Sequence, residues 1–250
     1  MTIAFGIDIG GSGIKGAPVN LETGEFTDDR LRIVTPQPST PETVADVCSQ
    51  LIDHFEVPKD VPIGITFPAP IKHSTVRFIA NLDQSWTGVN VTALMQERIG
   101  RRCIAVNDAD AAGVAETKFG AAKNVKGLVI ATTLGTGIGS ALINDGTLIE
   151  NSELGHLKIR GVSAEKLAAA QIRKAEKLSW DEWAQRLQEY YSYLDMLFSP
   201  DLFVVGGGVS KKHDKFLPKL ELSCPIVPAE LRNSAGIVGG AALAYEYFKS

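Results

Sequence analysis

Cysteine is scarce in this chain: three among 250 residues (Cys48, Cys103, Cys224), far apart and with no CxxC pair. An odd, scattered set excludes a disulfide scaffold and a four-cysteine zinc site. Basic surplus is also lacking, since 25 Lys and Arg stand against 29 Asp and Glu, a net charge of −4. Without excess cations to displace backbone counterions, no nucleic-acid partner is expected. No apolar run reaches about 18 residues, so no membrane span is expected either. The opening MTIAFGIDIGG has neither the basic stretch nor the apolar core of a leader peptide and reads as a strand, which makes a cytoplasmic location the expectation. The Walker pattern GxxxxGK[ST] is missing, so any phosphate site must use another cradle. The 44% hydrophobic and 22% charged content excludes disorder. The length admits one large domain or two modest ones.

Glycine, by contrast, is abundant and clustered. Gly10-Gly11-Ser12-Gly13, Gly135-Thr136-Gly137-Ile138-Gly139 and Gly206-Gly207-Gly208 each follow an apolar, β-branched run, at Ile3–Ile9, Leu128–Leu134 and Leu202–Val205. A strand that ends in glycine brings bare backbone close to a ligand. After the first two clusters the chain continues as strand, so each is the bend of a β-hairpin and not a Rossmann turn into a helix. Further strands are expected at Ile63–Phe67, Cys103–Val106 and Ser140–Ile143, with a strand-like Val76–Ala80. Helices are expected after the Thr40-Pro41-Glu42 start, at Asp108–Phe119, at Ala164–Lys177, after the Ser179–Glu182 capping box, and at Ile237–Phe248. Strands and helices alternate, an α/β pattern. Thr35–Pro41, rich in proline, reads as a stiff linker.

The hairpin Asp8-Ile9-Gly10-Gly11-Ser12-Gly13 can converge backbone N–H groups on an anion, with the Ser12 hydroxyl as a further donor and Lys15 as a point charge. Asp8 is suited to hold Mg²⁺ through water. A plain tight turn is the competing reading. The second bend adds the Thr133 and Thr136 hydroxyls around Gly135 and Gly137. The third, Gly206–Gly208, would let a base or ribose lie on backbone, against the alternative of close strand–helix packing. Where an apolar strand meets a small-residue helix, Asp108 in Asn107-Asp108-Ala109-Asp110 is the best base for an attacking hydroxyl. Helix capping is its rival role, and Asp110 its rival residue. Asn107 can donate and accept toward sugar hydroxyls. Glu153 and His156, in Glu153-Leu154-Gly155-His156, can both reach one small polyol.

Together these motifs resemble the sugar-kinase branch of the actin-like ATPase superfamily, and within it the ROK family: two phosphate loops, a nucleoside loop, Asn-Asp-Ala and Glu-x-Gly-His, in order, over nearly the whole chain. One departure is the stretch Leu157–Glu165, which has no cysteine where many ROK proteins carry a zinc motif, so no zinc is expected. The Thr35-Pro36-Gln37-Pro38, Ser85-Trp86-Thr87-Gly88 and Pro200-Asp201-Leu202-Phe203 segments are similar to the polyphosphate/ATP-dependent glucokinases among the zinc-free members. The resemblance implies an α/β, two-lobed, actin-like (ribonuclease H-like) fold with a central cleft. Residues 1–107 plus 237–250 would form one lobe and 108–236 the other. It further implies phosphoryl transfer from polyphosphate or ATP, with Mg²⁺, to the 6-hydroxyl of glucose and of mannose, Asp108 being the general base. Asn81, Asn107, Asp108, Glu153, His156 and Glu165 would fix the sugar, with a surface-helix glutamate as the competing reading for Glu165. Gly206, Gly207, Gly208, Lys211, Lys212 and Lys215 would serve the nucleoside or the polyphosphate chain, with a solvated lysine face as the competing reading for the lysines. The alternatives are an ATP-only kinase of another hexose or an N-acetylhexosamine, and a non-catalytic sugar-sensing protein. The oligomeric state stays open between monomer and homodimer.

Overall fold

The computed structural model describes residues 1–79 and 82–249, and the chain divides into two units, Met1–Ala115 with Ser234–Ser250 and Glu116–Asn233. The first unit begins with β1 (Ile3–Gly10), β2 (Gly13–Asn20), β3 (Glu25–Phe26) and β4 (Leu31–Ile33). Next come α1 (Pro41–His54), β5 (Ile63–Phe67), β6 (Ile71–Lys72), β7 (Thr75–Val76), α2 (Val91–Ile99), β8 (Cys103–Asn107) and the start of α3 (Asp108–Phe119). The main sheet runs β3-β2-β1-β5-β8, with β4 also on β2; β1 and β2 are antiparallel, β1, β5 and β8 parallel.

Period-2 alternation gives this sheet two different faces. Phe5, Ile7, Ile9, Ile63 and Ile65 meet Val44, Cys48 and Leu51 of α1 in one buried cluster. Helix α1 starts where expected, with the Thr40 hydroxyl accepting from Thr43 N–H and Pro41 in the first turn. The other face is bare backbone at Gly6 and Gly64. A Cβ added at Gly64 would overlap the Gly240 carbonyl, and one at Gly6 the Ile237 carbonyl. The C-terminal helix, Ala235–Lys249, therefore lies on the sheet backbone to backbone. Gly239 approaches Ala111 of α3 equally closely, which ties the first turns of α3 into this unit. Asp108 thus stands in the first unit and does not open the second.

Two expectations are corrected here, and one helix is added. Thr35–Pro41 is no free linker: Thr35 and Ser39 are buried, the Thr35 hydroxyl donates to the Gly10 carbonyl, and Trp86 Nε1 donates to the Ser39 carbonyl at 2.9 Å. The stretch is a strap bracing the first bend. Of Val76–Ala80, only Val76 is strand, paired in β6–β7, and Ala80 lies outside the described residues. Helix α2 escapes sequence reading because it buries only Val91 and Met95, too few for a visible period.

The second unit holds β9 (Leu128–Leu134), β10 (Ile138–Asn144), β11 (Thr147–Ile149), β12 (Lys158–Ile159), β13 (Val162–Ser163), α4 (Glu165–Ala168), α5 (Ala170–Ala175), α6 (Trp180–Phe198), β14 (Leu202–Gly206) and β15 (Ile226–Pro228). Its sheet order is β11-β10-β9-β14-β15. The Ser179–Glu182 capping box is present at the start of α6, whose Trp183, Leu187, Tyr190, Tyr191 and Leu194 are buried. The single helix expected over Ala164–Lys177 breaks at Ala169, where ψ is 150°. The carbonyls that would continue it are taken by α6: Trp183 Nε1 donates to Ala168 O and Arg186 to Leu167 O. Gln171 N–H turns instead to the Gly135 carbonyl at 3.0 Å, so the break docks α5 onto the second bend. Among the described residues no helix is long and apolar enough to cross a membrane.

Candidate active site

The first bend is a tight hairpin in which Gly10 pairs with Gly13 and Asp8 with Lys15, leaving Gly11 and Ser12 exposed at the tip. Lys15 Nζ donates to Asp8 Oδ2 at 2.9 Å, and the Thr66 hydroxyl donates to Asp8 Oδ1 at 2.9 Å. A methyl on Gly236, in the first turn of the C-terminal helix, would lie 3.1 Å from Asp8 Oδ1. The carboxylate therefore sits at the positive end of a helix macrodipole, a place that favours anions. Lys15, expected as a point charge for phosphate, is in an ion pair with Asp8. Thr66 was not among the expected residues; its β-strand neighbours carry no polar signal that points to Asp8.

At the end of β8, Asn107 caps α3. Its Oδ1 accepts from Ala109 N–H at 2.8 Å and Asp110 N–H at 3.1 Å. This moves the capping role from Asp108 to its neighbour, and it leaves Asn107 only its amide NH₂ to offer a sugar. Asp108 is exposed, whereas Asp110 is buried at 2% exposure. Of the two carboxylates, Asp108 is the one a substrate hydroxyl can reach. Asn81 lies outside the described residues, and Asp83 caps the turn Gln84–Trp86 by accepting from Ser85 N–H.

In the second unit, Leu134 pairs with Ile138 around the bend Gly135-Thr136-Gly137, with Gly135 and Thr136 exposed and Thr133 at the end of β9. The Glu153–His156 turn packs on β10: a Cβ on Gly155 would overlap the Ile138 carbonyl, so this position of the motif needs glycine. His156 lies between two carboxylates, with Nε2 3.7 Å from Glu153 Oε2 and Nδ1 3.5 Å from Glu165 Oε1. Glu165 Oε2 in turn lies against Gly137, where a side chain would collide with it. Fold geometry thus joins Glu153, His156, Glu165 and the second bend into one acidic cluster. Burial pushes the Glu153 carboxyl above its ordinary value; His156 pulls it back and the charge of Glu165 raises it further.

A group whose folded pKa is raised binds its proton more tightly folded than unfolded. Stability therefore falls as pH rises from the ordinary glutamate value through the raised one, and above it Glu153 is destabilising. Glu153→Gln is expected to raise Tm at neutral pH. The Tm gap should close on acidification below the ordinary value, where both side chains are neutral. Melts across pH check this, and a gap independent of pH would assign the effect to shape and not to the buried charge.

The third loop begins beside the second, Gly206 being in register with Thr133. Next to it a cavity of about 300 Å³ is lined by Ala121, Ser210, His213, Ala229, Glu230 and Arg232. Its walls are set by Glu116, whose buried carboxylate accepts from the N–H groups of Ala121, Glu230 and Leu231 at 2.8–3.1 Å. Sequence reading had no signal for Glu116, because its three partners are distant or irregular backbone. Lys211, Lys212 and Lys215 are exposed; Lys215 Nζ lies 5.7 Å from the Trp180 ring centre, and Lys219 is paired with Asp181 at 2.6 Å.

Among the described residues no group of three His, Cys, Asp or Glu is placed to chelate a metal directly. Asp8 does fit a hydrated Mg²⁺, since each carboxylate oxygen has one hydrogen bond and keeps a lone pair for a metal-bound water.

The ROK family sequence profile matches residues 4–167. The polyphosphate glucokinase of Mycobacterium tuberculosis is 46% identical over 238 residues, covering 95% of this chain and 89% of that protein. The crystal structure of the inorganic polyphosphate/ATP-glucomannokinase from Arthrobacter sp. strain KM superposes with a TM-score of 0.92 at 49% identity, covering 99% of this chain and 100% of that one. A ROK family glucokinase from Streptomyces griseus, solved with glucose and AMPPNP, shares the fold with a TM-score of 0.82 at 24% identity, covering 98% of this chain and 99% of that one. The fold is the α/β actin-like ATPase fold, and the chain belongs to the ROK family.

Proposed function

We propose that this chain transfers the terminal phosphoryl group of inorganic polyphosphate or ATP to the 6-hydroxyl of glucose, with mannose as a second acceptor. The observation that supports the reading is the position of Glu165, near both His156 and the Gly137 bend, so that an acidic cluster adjoins the second glycine bend. The two relatives of high identity, a polyphosphate glucokinase and an inorganic polyphosphate/ATP-glucomannokinase, support the same donor and acceptor.

In this mechanism Asp108 accepts the proton of the sugar hydroxyl as its oxygen bonds to the terminal phosphorus. The bridging P–O bond breaks, and ADP or a polyphosphate one unit shorter leaves with the electron pair. Backbone N–H groups at Gly10–Gly13 and Gly135–Gly137, with the Ser12, Thr133 and Thr136 hydroxyls, bind the phosphate oxygens. The amide of Asn107 and the side chains of Glu153, His156 and Glu165 hold the sugar. Asp8 would hold Mg²⁺ through water, and the ion would supply charge neutralisation on the phosphates. Gly206–Gly208 and the adjoining cavity would take the nucleoside of ATP, and Lys211, Lys212 and Lys215 the continuing chain of polyphosphate.

The test is a donor–acceptor panel: full-chain protein with Mg²⁺, glucose, mannose and N-acetylhexosamines, and either ATP or polyphosphate as sole donor. Glucose 6-phosphate from both donors is expected. Transfer from ATP alone to another sugar would make the chain an ATP-only ROK kinase, and no sugar-dependent donor consumption would leave a sensing role.

A further inference from the structure

Four strands of the first unit align one row of side chains. Asp8 on β1 is in register with Thr66 on β5 and Lys15 on β2, and Lys15 is in register with Arg32 on β4. Directly opposed residues project from the same face of a sheet. Thr66, Asp8, Lys15 and Arg32 thus form a continuous polar row at the first bend. The inner members satisfy one another, because the Asp8 carboxylate takes the Thr66 hydroxyl and the Lys15 ammonium. Lys15 is offset by Asp8, and the positive charge the row has left over is that of Arg32. Among the described residues no carboxylate forms an ion pair with Arg32.

The Arg32 guanidinium is held on the bend and not merely near it. It lies where a side chain on Gly13 would be, and its Nη2 donates to the Ser12 carbonyl. Arg32 is nonetheless exposed, and one of its five N–H donors is engaged. A planar, permanently charged fork with free donors, fixed against a loop of exposed N–H groups, matches the oxygens of a phosphate.

We infer that Arg32 is a donor-binding residue that contacts the phosphates of ATP and polyphosphate at the first bend. The absence of Gly13's side chain makes room for it, and the Ser12 carbonyl aims it. The inference rests on the phosphoryl-transfer reading. The contact is made to the bound donor before and during transfer alike, so its loss raises KM and spares kcat.

Three measurements test it on the full-length chain: steady-state kinetics, the salt dependence of donor KM, and calorimetric binding of inorganic tripolyphosphate without sugar. Arg32→Gln is expected to raise KM for both donors about tenfold, the low end for a charge-assisted bond at an exposed site. kcat and the KM for glucose should stay within about twofold. Tripolyphosphate binding should weaken in parallel, and donor KM should respond less steeply to ionic strength, one screened contact having been removed. Arg32→Lys, which keeps the charge without the fork, should fall between the two; it carries the comparison if Arg32→Gln does not fold. Unchanged donor KM and tripolyphosphate affinity would overturn the inference. A loss of kcat at unchanged donor KM would do the same, since it would leave Arg32 only its brace on Ser12. If the parent chain transfers phosphate to no sugar, the functional reading fails, and tripolyphosphate binding alone still decides the role of Arg32.

Discussion

Asp108→Asn is expected to lower kcat with either donor by about 10²–10⁴-fold while glucose affinity stays within about tenfold. Asparagine keeps the size of the side chain but loses the negative charge with which the carboxylate takes a proton. The fold should tolerate the change, because the first turn of α3 is capped by Asn107, whose Oδ1 holds the N–H groups of Ala109 and Asp110. Steady-state rates with ATP and with polyphosphate, set beside calorimetric glucose binding, separate the two effects. A variant turning over at near-parental rate would remove Asp108 from the role of base. The exposed position of Asp108 and the burial of Asp110 make a compensating switch to Asp110 an unsuitable explanation for such a result.

The second large effect is on stability. Gly64→Ala is expected to destabilise the protein by about 3 kcal/mol, the upper part of the usual range for overpacking, and to lower Tm by roughly 6–12 °C. The added methyl would meet the Gly240 carbonyl, which is backbone and cannot rotate away as a side-chain end would. Relief requires the C-terminal helix to lift from β1 and β5. That movement would draw Gly236 away from Asp8, so residual activity per folded molecule should fall as well. Calorimetric melting checks the first effect; a midpoint within about 2 °C of the parent would mean that helix and sheet slide past one another freely.

Much of the candidate site is written locally. The run from Asp8 to Lys15 spells a hairpin bend, since small residues flanked by β-branched strands admit little else. The Ser179–Glu182 box announces α6, and Thr40-Pro41 announces α1, because caps depend on groups three residues apart. The α4–α5 break had no comparable signal. Ala164–Lys177 reads as uninterrupted helix until Trp183 and Arg186, on another element, claim its carbonyls. The Thr35–Pro41 strap likewise looks like a linker until Gly10 and Trp86 provide its hydrogen-bond partners.

Local spacing within the chain was enough to specify the α/β class, the two hairpin bends, the carboxylate at a strand end and the Glu-x-Gly-His turn, because each depends on neighbours within a few residues. Tertiary structure alone decided who holds whom. It gave the cap to Asn107 and left Asp108 exposed, paired Lys15 with Asp8, set Arg32 on Gly13, and placed Glu165 between His156 and Gly137. The physical reason is that charge pairing, steric clearance and hydrogen-bond competition depend on distance in space, which strand register and helix docking set between residues remote in sequence.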